Sequence, residues 1–208
     1  MDEFGVDFVN FESEEFGVKN ERIHKYLQNK HNGLIHINYN SVRKTNIQVW
    51  NKFYRKSLID EWNLIFIDGL VYEDIFFNWV YFLKSKSAYY LSEILHHYRI
   101  HGDSIMTKSE EYKDYKKALH HLYNFKSFLE YAANDEELWR KNNKYFIKML
   151  NGYNKRTLEL SPADRFEDVT EVYKSLCNKY VDTYIQKYRL SLISSFVKFV
   201  FMIRYIMY

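Results

Sequence analysis

The chain has 208 residues, with 30 Lys and Arg against 27 Asp and Glu for a net charge of +3, and 19% of its residues are aromatic. That length suits one domain, or one domain with a helical appendage, and so mild a charge argues against nucleic acid as the main partner. Only 6 Gly and 1 Pro speak against a sandwich or barrel of tight hairpins, and the single cysteine, Cys177, excludes an internal disulfide and a cysteine-rich zinc site and fits a reducing compartment.

The first residues, Met1-Asp2-Glu3-Phe4, are acidic and do not read as a signal peptide. Val6, Phe8 and Asn10 alternate with Asp7, Val9 and Phe11, which predicts a strand. A polar stretch, 12–32, gives no pattern. Leu34 to Tyr39 predicts a second short strand. Residues 46–63 begin extended at Ile47 and Val49 and are expected to turn helical over Lys52–Trp62, with Phe53, Leu58 and Trp62 on one face. A loop with a glycine break, Phe66 to Leu70, leads into a helix over Glu73–Leu83. Its apolar residues Ile75, Phe76, Trp79, Phe82 and Leu83 predict burial on more than one side. Ala88–Leu91 and Ile94–Ile100 read as two strands separated by Ser92-Glu93.

From about Lys108 the pattern becomes helical, with helices expected over 108–132, 134–159 and 162–189. Ser161-Pro162-Ala163-Asp164 has the residue types of a helix start. A soft boundary falls near Thr107. The tail, Leu192–Tyr208, is apolar and aromatic but interrupted by Lys198 and Arg204. It reads either as a packed terminal helix or as a helix lying in a membrane interface. Nowhere do 18 apolar residues run uninterrupted, so no clean transmembrane helix is expected.

Several residue groups have the chemistry for a site. Glu73-Asp74 stands at a helix start, where adjacent carboxylates either complement the free amides or supply one general base facing a cleft. Two neighbouring acids point different ways, so at most one is the base. Strand alternation places His97, Arg99 and His101 on one face, which can meet a diphosphate or a metal, or form a solvent-facing strand edge. His120-His121 reads as surface, Cys177 as core, and His24, His31 and His36 stay unassigned. There is no phosphate-cradling glycine loop, no nucleophile elbow and no His-Glu-x-x-His motif.

Three segments carry a resemblance: Val49-Trp50-Asn51-Lys52-Phe53-Tyr54-Arg55; Leu64 to Asp74 with Gly69 and Glu73-Asp74; and His97-Tyr98-Arg99-Ile100-His101-Gly102-Asp103-Ser104-Ile105. In order and spacing they resemble the second half of inverting family 2 glycosyltransferases of the GT-A fold, over roughly residues 5–107. The resemblance implies an α/β fold: a partial GT-A-type sheet with helices, followed by an all-helical C-terminal region. It makes 1–107 the acceptor-side part of the domain and 108–208 a helical C-terminal region, whose tail, 192–208, would suit an acceptor held at a membrane if it takes the second of the two readings above.

Residue by residue, it implies that Asp74 deprotonates the acceptor hydroxyl with Glu73 as its partner. Trp50, Tyr98 and Arg99 bind substrate, and His101 completes a site for Mg or Mn. The implied donor is a nucleotide sugar, most often a UDP-sugar, and the acceptor a glycan or lipid-linked glycan. The setting is assembly of a surface polysaccharide, lipopolysaccharide or capsule, in the cytoplasm or at the inner face of the plasma membrane. The sequence departs from the family in lacking any Asp-x-Asp; the nearest analogue is Glu12-Ser13-Glu14. The expectation is therefore a chain that is inactive alone, as a fragment, a decayed relative or one half of a split enzyme with a companion chain for the nucleotide. The alternative is a non-catalytic interaction or membrane-docking module derived from such an enzyme.

Overall fold

A computed structural model describes residues 3–17, 32–38, 41, 45, 47–101, 115–160, 166–176 and 178–179. Strand β1 (Phe8–Gly17) is buried from Phe8 through Ser13, because it is interior to its sheet. Three further strands complete the sheet: β2 (Gly33–His36), β3 (Lys52–Tyr54) and β4 (Ser87–Ile100). The order is β2-β4-β1-β3. β1 runs parallel to β4 and antiparallel to β3, and β2 runs antiparallel to β4. A parallel pair needs a crossover, and the crossover carries helices α1 (Lys56–Glu61) and α2 (Glu73–Lys84). Helices α3 (Tyr115–Ala133), α4 (Glu136–Leu160) and α5 (Phe166–Leu176) follow. The architecture is mixed α/β, a four-stranded sheet with five helices among the described residues.

Two expected elements change. Lys52–Tyr54 is a strand, and the helix starts only at Lys56. The apolar spacing there is compatible with a helix, but Phe8, Val9 and Asn10 pair with Tyr54, Phe53 and Lys52, and that long-range pairing overrides local preference. Likewise Ala88–Leu91 and Ile94–Ile100 form one strand. Ser92-Glu93 and Leu95 fall where the β1–β4 register shifts, so a bulge takes up what reads as a break. At the far end of the pair, Gly17 has φ +140°, and a Cβ there would lie 2.0 Å from the Ile100 carbonyl oxygen, which only glycine avoids.

One hydrophobic core runs from the sheet into the helices. It joins Phe8 and Ala88, Val80 to Phe82 of α2, Leu122, Phe125 and Phe128 of α3, Phe146 and Leu150 of α4, and Leu176 of α5. No helix among the described residues is long and apolar enough to cross a membrane. The tail 192–208, the Ser161-Pro162 helix start, Cys177, His24 and His31 lie outside the described residues.

Candidate functional site

The site is built where the N-terminus of α2 lies over β3. Tyr72 precedes the helix in the left-handed conformation, φ 65° and ψ 36°, which a residue with a Cβ adopts only when its surroundings impose it. Helix α3 supplies those surroundings. The Val71 N–H donates to His120 Nδ1 at 2.9 Å, Asn124 Nδ2 donates to the Val71 carbonyl at 3.0 Å, and the Tyr72 ring stacks on His121 at 4.5 Å. His120 and His121 are thus half-buried parts of a clamp, not the surface pair expected. Their ring nitrogens and faces are used by a loop distant in sequence.

After the clamp the chain presents Glu73 and Asp74. Glu73 is exposed and Asp74 half-buried. Burial, with the neighbouring Glu73 charge, pushes the Asp74 carboxyl up to about 6, against the pull of the free amides at the helix start and of Lys52. Asp74 therefore both accepts from helix-start amides and faces inward. Asn78 lies four residues on, over the same helix face. Its Oδ1 accepts from the Tyr54 hydroxyl at 2.6 Å, and its Nδ2 donates to the Ile47 carbonyl. The Tyr54 hydroxyl is held far above its ordinary range by burial and by the Asp74 charge.

Below Asp74 on β3, Lys52 points to the same side as Tyr54. It is only 6% exposed. Its Nζ donates to the Gln48 carbonyl and to Asn51 Oδ1, each at 2.6 Å, and lies 5.5 Å over the Phe82 ring. Burial lowers this amine to about 7, with Asp74 pulling it back up. Lys52, Tyr54 and Asn78 were not singled out by sequence reasoning. The Asn51-Lys52 pair in the first resembling segment was the one available signal.

Trp50 begins a second feature. Its ring stacks on His96 at 4.6 Å and on Tyr98 at 5.5 Å, and Ser13 Oγ lies 3.0 Å from His96 Nδ1. Trp50 and Tyr98 are therefore brought together. Arg99 and His101 are exposed, and Arg99 alternates with Tyr98 on β4, so the two do not share a face. His97, also exposed, pairs with Glu14 at 2.6 Å. Among the described residues no three His, Cys, Asp or Glu come together to hold a metal ion. His101 is the last described residue before 102–114, which lie outside the described residues.

The sequence matches no family model, and none of the curated proteins compared with it matches. Among solved structures, the S. aureus protein TarS (residues 1–349, in complex with UDP) is similar with a TM-score of 0.40 and 14% identity. The overlap covers 89% of this chain and 60% of that one, so this chain spans less than two thirds of its length. An overlap this loose decides neither fold family nor activity, which are argued from the residues.

Proposed function

We propose that this chain is the acceptor-activating part of an inverting glycosyltransferase of the family 2 kind, with Asp74 as the base. One observation carries the reading: Asp74, at the start of α2, interacts through its charge with the buried Lys52 amine and the half-buried Tyr54 phenol, and its carboxyl is raised to about 6. A carboxylate of that basicity is ionised at neutral pH and still close enough to it to take a proton from a hydroxyl. Trp50 and Tyr98, brought together by their stack, are aromatic rings of the type against which sugar C–H groups pack. By the sequence resemblance the donor is a nucleotide sugar, with UDP the first candidate and Mg or Mn as its counter-ion. The acceptor is a glycan or lipid-linked glycan, and residues 192–208 lie at the membrane surface.

Among the described residues the nearest analogue of an Asp-x-Asp motif, Glu12-Ser13-Glu14, is otherwise engaged. Glu12 accepts from the Tyr90 hydroxyl at 2.9 Å, Ser13 sits on His96, and Glu14 pairs with His97.

The test is calorimetric titration with UDP, with and without manganese, followed by a transfer assay. No heat is expected from the chain alone. Manganese-dependent binding that His101→Ala abolishes would put a usable donor site on this chain's own residues. In any active preparation Asp74→Asn is expected to lower turnover by about 100-fold or more. Full activity in that variant would sink the assignment of the base.

A second reading, a docking module, has one observation in its favour. On the sheet face away from α2, Leu34, Tyr89, Val9 and Phe53 form a continuous cross-strand row, and Phe4 stacks on Tyr89. Leu34 and Phe53 are each more than half exposed. An apolar row of that kind marks a contact surface. Native activity in Asp74→Asn, with loss of partner binding in Leu34→Lys, would favour this reading.

A further inference from the structure

Strand β4 sorts its last side chains onto two faces by alternation. One face carries His97, which pairs with Glu14, and Arg99. The other carries His96 and Tyr98, with Ser13 and Glu15 beside them across the β1–β4 register. Ring contacts fix the shape of this second face. Trp50 stacks on His96 at 4.6 Å and 21° and on Tyr98 at 5.5 Å and 25°, while the His96 and Tyr98 centroids are 6.5 Å apart. A ring sandwiched between two others would hold them about 7 Å apart or more, at about 3.5 Å for each layer. The observed spacing is instead that of alternate residues along a strand, about 6.6 Å. His96 and Tyr98 therefore lie side by side under one face of the indole.

Each of the two rings keeps a polar atom for a ligand. Ser13, fully buried, anchors His96 from one side: its Oγ lies 3.0 Å from Nδ1 and donates to the His96 carbonyl at 3.1 Å. Nε2 is on the opposite side of the ring, so it points away from Ser13. Among the described residues neither His96 Nε2 nor the Tyr98 hydroxyl has a hydrogen-bond partner, and neither is closed off from solvent. Both residues are half-buried and held by the stack, so binding through these atoms costs little further loss of side-chain freedom.

The chemistry of these atoms selects the ligand. Ser13 has one hydroxyl hydrogen. With that hydrogen on the carbonyl, Nδ1 donates to Oγ and Nε2 is an acceptor; with it on Nδ1, Nε2 is a donor. A hydroxyl group meets either state, because it both donates and accepts, whereas a phosphate oxygen meets only the second. Burial and the His97 charge hold the His96 ring below its ordinary midpoint, so it is uncharged at neutral pH. Beside Tyr98 stands the Glu15 carboxylate, whose charge disfavours an anion. Flat rings with hydroxyl-binding atoms at their rim suit a pyranose, whose hydroxyls surround an apolar ring.

We propose that His96 is a sugar-binding residue: its Nε2, with the Tyr98 hydroxyl beside it, takes hydroxyl groups of a pyranose at the rim of the Trp50 stack. The assignment rests on the reading of Trp50 and Tyr98 as substrate-binding residues, and adds to them the residue that distinguishes hydroxyl positions. It gives this face of β4 to sugar, in place of diphosphate.

The test uses the full chain with nitrogen-15 in its histidine rings. The probes are the methyl glycosides of glucose and N-acetylglucosamine, UDP-glucose, UDP and inorganic pyrophosphate. The His96 signal is the one lost in His96→Phe. A sugar is expected to shift its Nε2 resonance and pyrophosphate to leave it in place. A shift with a methyl glycoside assigns an acceptor sugar; a shift with UDP-glucose but not with UDP assigns the sugar of the donor. Affinity is followed by saturation transfer to the sugar. In His96→Phe it is expected to fall about 10-fold, from one lost hydrogen bond, and in Tyr98→Phe likewise. His96→Gln, whose amide reaches toward the place of Nε2, is expected to recover part of the loss, which a ring that only stacks would not predict. His96→Phe keeps a flat ring under Trp50, and Ser13 keeps its bond to the carbonyl of residue 96. If that variant still fails to fold, Tyr98→Phe carries the same comparison. No shift with any of the sugars, a larger shift with pyrophosphate, or unchanged affinity in the variants overturns the proposal. Sugar binding at His96 in a chain that never supports transfer keeps this site and dismisses the transferase reading. Transfer with sugar affinity unmoved by His96→Phe does the reverse.

Discussion

At the scale of single residues, Lys52 and Asp74 should dominate the dependence of stability on pH. The unfolded chain holds the Lys52 proton up to about pH 10.5, while the folded chain releases it near 7. Between those values the unfolded state binds more protons, so stability rises with pH, by about 1.4 kcal/mol per unit from this one group. Asp74 works in the opposite sense. Its folded midpoint, about 6, is above its ordinary 3.8, so its contribution is complete below pH 3.8 and lost as pH rises through 6. Together the two groups place a minimum of stability between about pH 6 and 7. Urea unfolding measured from pH 4 to pH 10 should show it. Lys52→Met should remove the rising limb and Asp74→Asn the falling one.

At the scale of elements, Asp135 is the joint between α2 and the helical region. It accepts from the Leu138 N–H at 2.9 Å as the cap of α4, and from Lys84 Nζ at 2.6 Å. The Lys84 ammonium in turn lies 5.5 Å from both the Trp62 and Tyr131 rings. Burial alone would raise the Asp135 carboxyl, but Lys84 and the capped amide outweigh it and hold the group below its ordinary range. Its stabilisation is therefore present above the ordinary carboxylate range and is lost as pH falls through the lowered midpoint. Asp135→Ala should lower unfolding free energy at neutral pH by about 1–2 kcal/mol through the cap alone. Asp135→Asn keeps a capping oxygen and should cost less. The clamp on Tyr72 gives a local counterpart: His120→Ala should speed hydrogen exchange of the Val71 amide, visible by NMR, while leaving exchange inside α2 unchanged.

Helix α2 was legible in the sequence because Ile75, Phe76, Trp79, Phe82 and Leu83 repeat with the period of a helix. Strand β3 was not, since three residues carry no period and their pairing partners lie more than forty positions away. The site divides in the same way. Asp74 and Glu73 could be found from their place at a helix start, and Trp50 and Tyr98 from the resembling segments. Nothing local marks Lys52 as a buried amine, because its burial comes from Phe82 on a later helix and Asn10 on an earlier strand. Nor could His120 and His121 be read, since their partners, Val71 and Tyr72, meet them only after the chain folds back.

At the scale of the whole molecule, a boundary near Thr107 reads well in the sequence, where sheet-forming segments give way to helices. The core crosses that line. Phe128 of α3 is fully buried, meets Phe146 edge-on at 4.8 Å, and belongs to the same cluster as Phe8 of β1 and Val80 of α2. A continuous core of this kind couples its parts into one cooperative transition. Phe128→Ala should cost about 3–5 kcal/mol, since removing a fully buried ring leaves a cavity in the core. Two probes distinguish local from global loss: Trp50, stacked against β4, and Trp139, within α4. In variants retaining one or the other tryptophan, the urea transitions should superimpose. Phe128→Ala should then move both by the same amount. If the Trp139 transition shifts while the Trp50 transition stays, the sheet is an independent folding unit and the change of character near Thr107 is a boundary in stability as well as in sequence.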